Sequence, residues 1–184
     1  DFNGSLSPDD RWRGNFSAHS KVDVVTGELV SIGYNQVEQW VRVIDVDSHG
    51  SIVRRRTFPL SRPSVLHDFA MTQTRVIVMD GPLVFSLSGL LTGSKCFEFD
   101  YGQPGRFGIV SRRDMNEDVT WIETEPCMNF HVLNAFDDPA DPDRAVVYTF
   151  RQDASTGVGI GGLAGVEPSS SPYGRRLQPD TALL

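Results

Sequence analysis

Short apolar runs that end in polar turns constrain the fold of this 184-residue chain more than any other feature. Residues 40–46 and 52–58 are two such runs, and the segment Asp47-Ser-His-Gly50 lies between them. Their β-branched and aromatic side chains predict a β-hairpin whose turn needs a positive φ at Gly50. Seven further runs are strand candidates of the same kind: residues 65–71, 75–79, 96–101, 106–111, 119–123, 130–136 and 145–151.

This pattern predicts an all-β fold. Only residues 83–93 show a helical period of apolar side chains. Many short strands joined by hairpin turns are typical of a sandwich, a barrel or propeller blades. Residues 76–79 are apolar on both faces, which predicts a strand covered by neighbouring sheets on both sides.

The composition changes after about residue 152, where glycine, serine and proline replace the alternating apolar residues. We therefore predict a β region over residues 1–152 and a flexible, disordered tail over 153–184. The tail contains Gly157-x-Gly159-x-x-Gly162, which matches a dinucleotide fingerprint as a string. No strand candidate leads directly into these glycines and a proline-serine run follows them, so we predict no dinucleotide site.

Charge and cysteine content exclude several classes of protein. The formal net charge is −7, and an acidic chain without a basic stripe is a poor partner for nucleic acid. No apolar run is long enough for a membrane-spanning helix. Cys96 and Cys127 are too few for a disulfide framework. We expect a soluble or peripheral membrane protein of a reducing compartment, the cytoplasm or the plastid stroma.

The four histidines are the residues most informative about chemistry. His49 lies in the polar turn, whereas His19, His67 and His131 are each flanked by apolar or small residues. An imidazole buried in an apolar strand must be hydrogen-bonded or bound to a metal, because an unsatisfied polar group there costs about 1–3 kcal/mol. The spacings between the three, 48 and 64 residues, approximate one propeller blade. The sequence is compatible both with three separate core histidines and with one site that the three histidines share.

Four ordered segments resemble signatures of the carotenoid cleavage oxygenases, the family of carotenoid, apocarotenoid and stilbene dioxygenases and of retinal pigment epithelium isomerase-like proteins. Residues 17–29, SAHSKVDVVTGEL, resemble TAHPKxDPxTGEL, and residues 66–72, LHDFAMT, resemble MHDFAIT. Residues 105–112, GRFGIVSR, are similar to ARxGVLPR. Residues 121–138, WIETEPCMNFHVLNAFDD, are similar to WFExxPCxxFHxxNAWEE.

The resemblance implies a seven-bladed β-propeller with Fe(II) on its axis, held by four histidines. His19, His67 and His131 match the first three ligand positions, and no histidine follows His131 to match the fourth. Family members are more than twice as long, so the resemblance also implies an internal fragment with about three blades' worth of strands. It leaves open whether this chain alone is active.

The activity implied by the resemblance is cleavage of a carbon–carbon double bond in a carotenoid, apocarotenoid or stilbene-like polyene by O₂, which yields aldehyde or ketone products. Neutral imidazoles suit such a metal because they leave its charge uncompensated, and no further catalytic residue is implied. Two alternatives stay open: a propeller-type binding module without chemistry, and a three-histidine zinc hydrolase.

An apolar segment between the second and third matched histidines is a candidate for contact with a membrane. In the family, the comparable segment lies near the mouth of the substrate tunnel and touches the membrane that holds the lipophilic substrate. Burial against a neighbouring blade is the alternative for its apolar side chains. These are Leu83, Phe85, Leu87, Leu90 and Leu91.

Overall fold

The computed structural model describes residues 15–114, 116–153 and 179–183, and their regular structure is almost entirely antiparallel β. The strands are β1 (Lys21–Val22), β2 (Leu29–Asn35), β3 (Trp40–Val46), β4 (Ile52–Pro59), β5 (Phe69–Met71), β6 (Arg75–Asp80), β7 (Leu83–Phe85), β8 (Phe97–Phe99), β9 (Gly105–Ser111), β10 (Thr120–Thr124), β11 (Cys127–Asp137), β12 (Ala145–Asp153) and β13 (Pro179–Leu183), with the short helix α1 (Leu87–Thr92) between β7 and β8. The all-β prediction is confirmed, whereas the number of propeller blades stays a prediction.

The strands form three main sheets and one small hairpin. The first sheet has the order β1-β2-β3-β4, the central sheet β10-β9-β6-β5 and the third sheet β11-β12-β13, while β7 pairs with β8. The predicted hairpin is confirmed as β3–β4. Gly50 has a φ of 85° in its turn, and the Asp47 carboxylate accepts the backbone N–H groups of His49 and Ser51.

Strand β6 of the central sheet is buried on both faces, as predicted from residues 76–79. Val76 and Val78 pack into an apolar core shared with the first sheet. Ile77 and Met79 point the other way, into a second core with Ala145 and the neighbouring residues of β12. Alternate residues of β6 therefore join the first and third sheets to the same strand.

One predicted strand is much shorter in the structure, and one long strand was not predicted. The strand predicted over residues 65–71 is limited to Phe69–Met71, because the preceding backbone is engaged by β7 and by loops: Val65 N–H donates to the Leu83 carbonyl. The strand Leu29–Asn35 had no strong sequence signal, since Ser31 and Gly33 interrupt its apolar pattern.

The helical period of residues 83–93 is realised only in part. Leu83–Phe85 is a strand, and the helix that follows has six residues. Ser86 caps its N-terminus by accepting the Gly89 N–H at 3.1 Å, and Gly93 ends it with a φ of 69°. In the part of the chain described here, no helix has both the length and the apolar character that crossing a membrane requires.

The tail prediction falls mostly on residues 154–178, which lie outside the described residues, as does the glycine string within them. Residues 179–183 form β13, which pairs antiparallel with β12. This strand was not anticipated from the polar composition of the predicted tail.

Candidate metal centre

Three of the four histidines meet at one point, and each lies in or just before a strand of a different sheet. His19 lies in the turn before β1 of the first sheet, and His67 lies in the loop two residues before β5 of the central sheet. His131 belongs to β11 of the third sheet. The packing of the three sheets therefore sets the distances between the imidazoles.

The three rings form a compact triangle. Their centroids are separated by 4.7 Å for His19 and His67, 4.8 Å for His19 and His131, and 4.9 Å for His67 and His131. The Nε2 atoms of His19 and His67 are 3.0 Å apart. One nitrogen from each of the three rings falls within 4.8 Å of the others.

Serine side chains fix the backbone around His19. The Ser17 hydroxyl donates to the His67 carbonyl at 3.1 Å and accepts the His19 N–H at 3.1 Å, so it contacts both histidine segments. The Ser20 hydroxyl donates to the buried Ser31 hydroxyl of β2 at 2.7 Å. These bonds hold the turn against the first sheet.

A β-bulge places His131. The pairing of β11 with β12 shifts register between Asn129 and Val132 and again between Val132 and Asn134. The Thr149 hydroxyl of β12 donates to the His131 carbonyl at 2.7 Å within this irregular stretch. Bulges redirect side chains next to active sites, and this one accompanies the outward placement of the His131 ring.

The carboxylate of Asp68 is buried beside the cluster, with 3% of the residue exposed. Its Oδ1 accepts the ammonium of Lys21 at 2.8 Å and the backbone N–H of Phe69 at 2.7 Å. Its Oδ2 accepts the backbone N–H of Val132 at 2.9 Å. Asp68 thus contacts all three segments that carry the histidines.

In the described residues, the three imidazoles are not buried within apolar strands. His67 and His131 are exposed, His19 is half-buried, and only His131 lies in a strand. Partial burial of the His67 ring, together with the charges that His19 and His131 carry when protonated, lowers the His67 pKa. The neutral, metal-binding form of His67 is therefore favoured.

Sequence reasoning did not find three of the residues that hold the histidine segments together. His49 lies apart, exposed in the β3–β4 turn, as its polar setting predicted. Ser17, Lys21 and Thr149 carry no chemical signature of their own. Ser17 and Lys21 could have been identified only from their closeness in sequence to His19. Thr149 could have been identified only if the pairing of its strand with β11 had been known.

The candidate membrane segment is divided between interior and surface. Leu83 is 4% exposed and belongs to the interior, which agrees with the burial alternative for this residue. Phe85 is half-buried, with its ring 5.7 Å from that of Phe97. Three leucines of α1 remain largely exposed: Leu87, Leu90 and Leu91.

Comparison with protein families finds one matching model, described as retinal pigment epithelial membrane protein, over residues 1–163. A chloroplastic 9-cis-epoxycarotenoid dioxygenase of Arabidopsis thaliana is 30% identical over 78% of this chain and 25% of its own length. A carotenoid 9,10(9',10')-cleavage dioxygenase of Crocus sativus is 35% identical over 80% of this chain and 27% of its own length. The chain thus spans about a quarter of the length of these relatives.

Solved structures share the fold at lower identity. The lignostilbene dioxygenase of Pseudomonas brassicacearum superposes with a TM-score of 0.69 at 24% identity, over 80% of this chain and 30% of that one. The cobalt-substituted apocarotenoid oxygenase of Synechocystis superposes with a TM-score of 0.68 at 17% identity, over 100% of this chain and 37% of that one. These similarities support the all-β architecture.

Proposed function

Because this chain belongs to the family of retinal pigment epithelial membrane protein and the carotenoid cleavage dioxygenases, we propose that it supplies three histidine ligands to an Fe(II) site that cleaves a double bond of a lipophilic polyene with O₂. The substrate class is a carotenoid, apocarotenoid or stilbene. The ligands are His19, His67 and His131.

The observation that carries this proposal is the convergence of three imidazoles from segments in or next to three different sheets. The Nε2 atoms of His19 and His67 are 3.0 Å apart, and one nitrogen from each of the three rings lies within 4.8 Å of the others, so all three rings could bind one ion. Three isolated core histidines would give no reason for this geometry. The donor set therefore fits a single divalent ion.

The chemistry of the donors also fits iron. Imidazole is a good ligand for iron, and three neutral ligands leave the positive charge of a divalent ion intact. The lowered pKa of His67 favours its neutral ring, whose nitrogen lone pair can bind a metal. Iron bound here would supply the activation of O₂ for cleavage of the substrate.

The other residues of the site hold the histidine segments in place and orient the imidazoles. Ser17 and Thr149 hold the carbonyls of His67 and His131. Phe130 packs its ring against that of His67 with centroids 5.5 Å apart, which limits rotation of the imidazole. Asp68, with both oxygens engaged, is not a nucleophile or a general base in this proposal.

Metal analysis tests the ligand set. We expect the 184-residue chain, loaded anaerobically with Fe(II), to hold one ion per chain. Substitution of His19, His67 or His131 by alanine should weaken binding at least tenfold. His49→Ala is the matched control and should bind as the unaltered chain does, because His49 lies in the distant turn.

A folded chain that binds no iron, or three alanine variants that bind as well as the control, would contradict the ligand assignment.

Oxygen-dependent bleaching of a carotenoid or a stilbene tests the reaction itself. Binding of zinc in preference to iron, with ester hydrolysis in the absence of O₂, would support the hydrolase alternative instead. Unchanged metal content and bleaching in His67→Ala would support a binding module without chemistry.

The three exposed leucines of α1 support a second part of the proposal, contact with the membrane that holds the substrate. Leu91 is 79% exposed, and an apolar helix face of this kind gains free energy by entering the interface of a bilayer. The helix follows β7, which is anchored through Val84 to Ser64, three residues before His67. Contact through α1 would thus be linked, by this bridge, to the segment that carries the ligand His67.

Flotation with phosphatidylcholine vesicles tests this contact. We expect the Leu87→Asp/Leu91→Asp chain to float several-fold less than the unaltered chain. The matched control is Val24→Asp/Val25→Asp, which adds the same charge to two exposed apolar residues of the β1–β2 turn. Equal flotation of all three chains would remove the membrane contact.

A further inference from the structure

We infer that Asp68 is the positioning residue of the metal centre: its carboxylate joins the three histidine segments and holds the imidazoles at the spacing that one ion requires. This inference rests on the proposed function. Asp68 is assigned here no direct contact with metal or substrate.

The contacts of Asp68 divide among the three sheets. Lys21 follows His19 by two residues, Phe69 follows His67 by two, and Val132 directly follows His131. The bond to Lys21 spans 47 residues of the chain and the bond to Val132 spans 64. If Asp68 served only to terminate its own loop, the single hydrogen bond from the Phe69 N–H would be enough.

The environment of Asp68 makes these bonds strong. With 3% of the residue exposed, the carboxylate exchanges water for the Lys21 ammonium and two backbone N–H groups. Hydrogen bonds to a charged group are shorter and about twice as strong as neutral ones. The Lys21 ammonium is itself held 5.0 Å over the ring of Phe69, so this ion pair has a fixed geometry.

The bond to Val132 acts where β11 is least regular. Register shifts lie on both sides of Val132, so regular ladder pairing does not define the backbone at His131. Asp68 and Thr149 hold this stretch from two sides, through the Val132 N–H and the His131 carbonyl. The position of the His131 ring therefore depends on a side chain attached next to His67.

Cobalt binding to the 184-residue chain tests the inference. Co(II) is used as the probe, because its affinity can be measured by competition with a chromophoric chelator and its visible d–d bands report ligand geometry. We expect Asp68→Asn, which keeps the shape but loses the charge and one acceptor oxygen, to bind Co(II) about tenfold more weakly. Its d–d bands should shift, and Asp68→Glu should restore part of the affinity.

The matched control is Asp45→Asn. Asp45 is buried to the same degree as Asp68 and is paired with Arg54 at 2.7 Å on the first sheet. Its substitution also lowers stability, but we expect the folded protein to bind Co(II) within twofold of the unaltered chain. In the double variant Lys21→Met/Asp68→Asn, the fold-loss of Co(II) affinity should be smaller than the product of the losses in the two single variants. The reason is that the two residues act through one contact.

The outcomes separate the inference from the proposed function. If the unaltered chain binds Co(II) no better than His67→Ala, the proposed function and the inference both fail. If it binds Co(II), and Asp68→Asn retains its affinity and d–d bands, the inference alone is overturned. If Asp68→Asn does not fold, Lys21→Met decides: about threefold weaker binding supports the inference, and unchanged binding overturns it.

Discussion

Arg112 illustrates how single side chains join the first and central sheets. Its guanidinium donates to the Asp23 carboxylate at 2.8 Å and to the Thr72 carbonyl at 2.9 Å, and it approaches Glu28 at 3.4 Å. Arg112 and Asp23 are 6% and 2% exposed. A buried pair of this kind is costly to break, since the remaining charge loses its partner.

The pKa of Asp23 makes this contact sensitive to acid. Burial by itself raises that pKa, but hydrogen bonds from the N–H groups of Val25 and Thr26 and from Arg112, together with the charge of Arg112, outweigh burial. They lower the pKa from 3.8 to about 2. The contribution of Asp23 to stability is therefore complete above pH 3.8 and is lost as the pH falls toward 2.

Asp23→Asn should lower the free energy of unfolding by about 2 kcal/mol at neutral pH, because it removes a hydrogen bond to a charged group in the interior. This difference from the unaltered chain should narrow as the pH falls from 3.8 to 2. Urea denaturation over a pH series measures it. Asp118→Asn, at an exposed position, should change stability by less than about 0.5 kcal/mol, and a difference that grew on acidification would refute the assignment.

At the scale of elements, β6 is the strand on which both cores depend. Ile77 is 0% exposed and packs into the core shared with the third sheet. Ile77→Ala should cost about 3 kcal/mol of unfolding free energy through lost burial and the cavity left behind. Val53→Ala on β4, where Val53 is 47% exposed, is the control and should cost less than about 0.5 kcal/mol. Similar urea midpoints for the two variants would show that the second core adds no stability.

The sequence predicted those elements whose own residues carry the signal. Residues 40–46 are mostly apolar and β-branched, and a polar turn follows them. Strand β3 has the same bounds as this run. The strand Leu29–Asn35 was missed because its buried Ser31 and its Gly33 have low strand propensity. Its position is set by pairing with β3, which is tertiary information.

The same distinction applies to the candidate site. The three histidines could be selected from their neighbours and motifs in the sequence. Their exposure could not, because His19 and His67 lie in loops whose path is determined by contacts with Ser17, Asp68 and the neighbouring sheets. The bulge at His131 depends on a partner strand, so no local pattern indicates it.

At the scale of the whole molecule, stability should be highest in the central sheet and lowest in the excursion from β7 to β8. The residues of β6 are covered by two cores, whereas α1 has one buried residue, Gly89. Hydrogen exchange followed by mass spectrometry should show the amides of residues 76–79 exchanging last and those of residues 87–92 exchanging among the first. Equal protection of both segments would contradict this order.

The attachment of the three imidazoles to segments of different sheets also affects the order of folding. His19 and His67 are 48 residues apart, and His131 follows after 64 more. Bringing both pairs together in an unfolded chain costs entropy of loop closure, roughly 3–4 kcal/mol for each loop. Assembly of the sheets must meet this cost before all three rings can share one ion. We therefore expect the ion to bind late, to a scaffold already formed, and not to nucleate it.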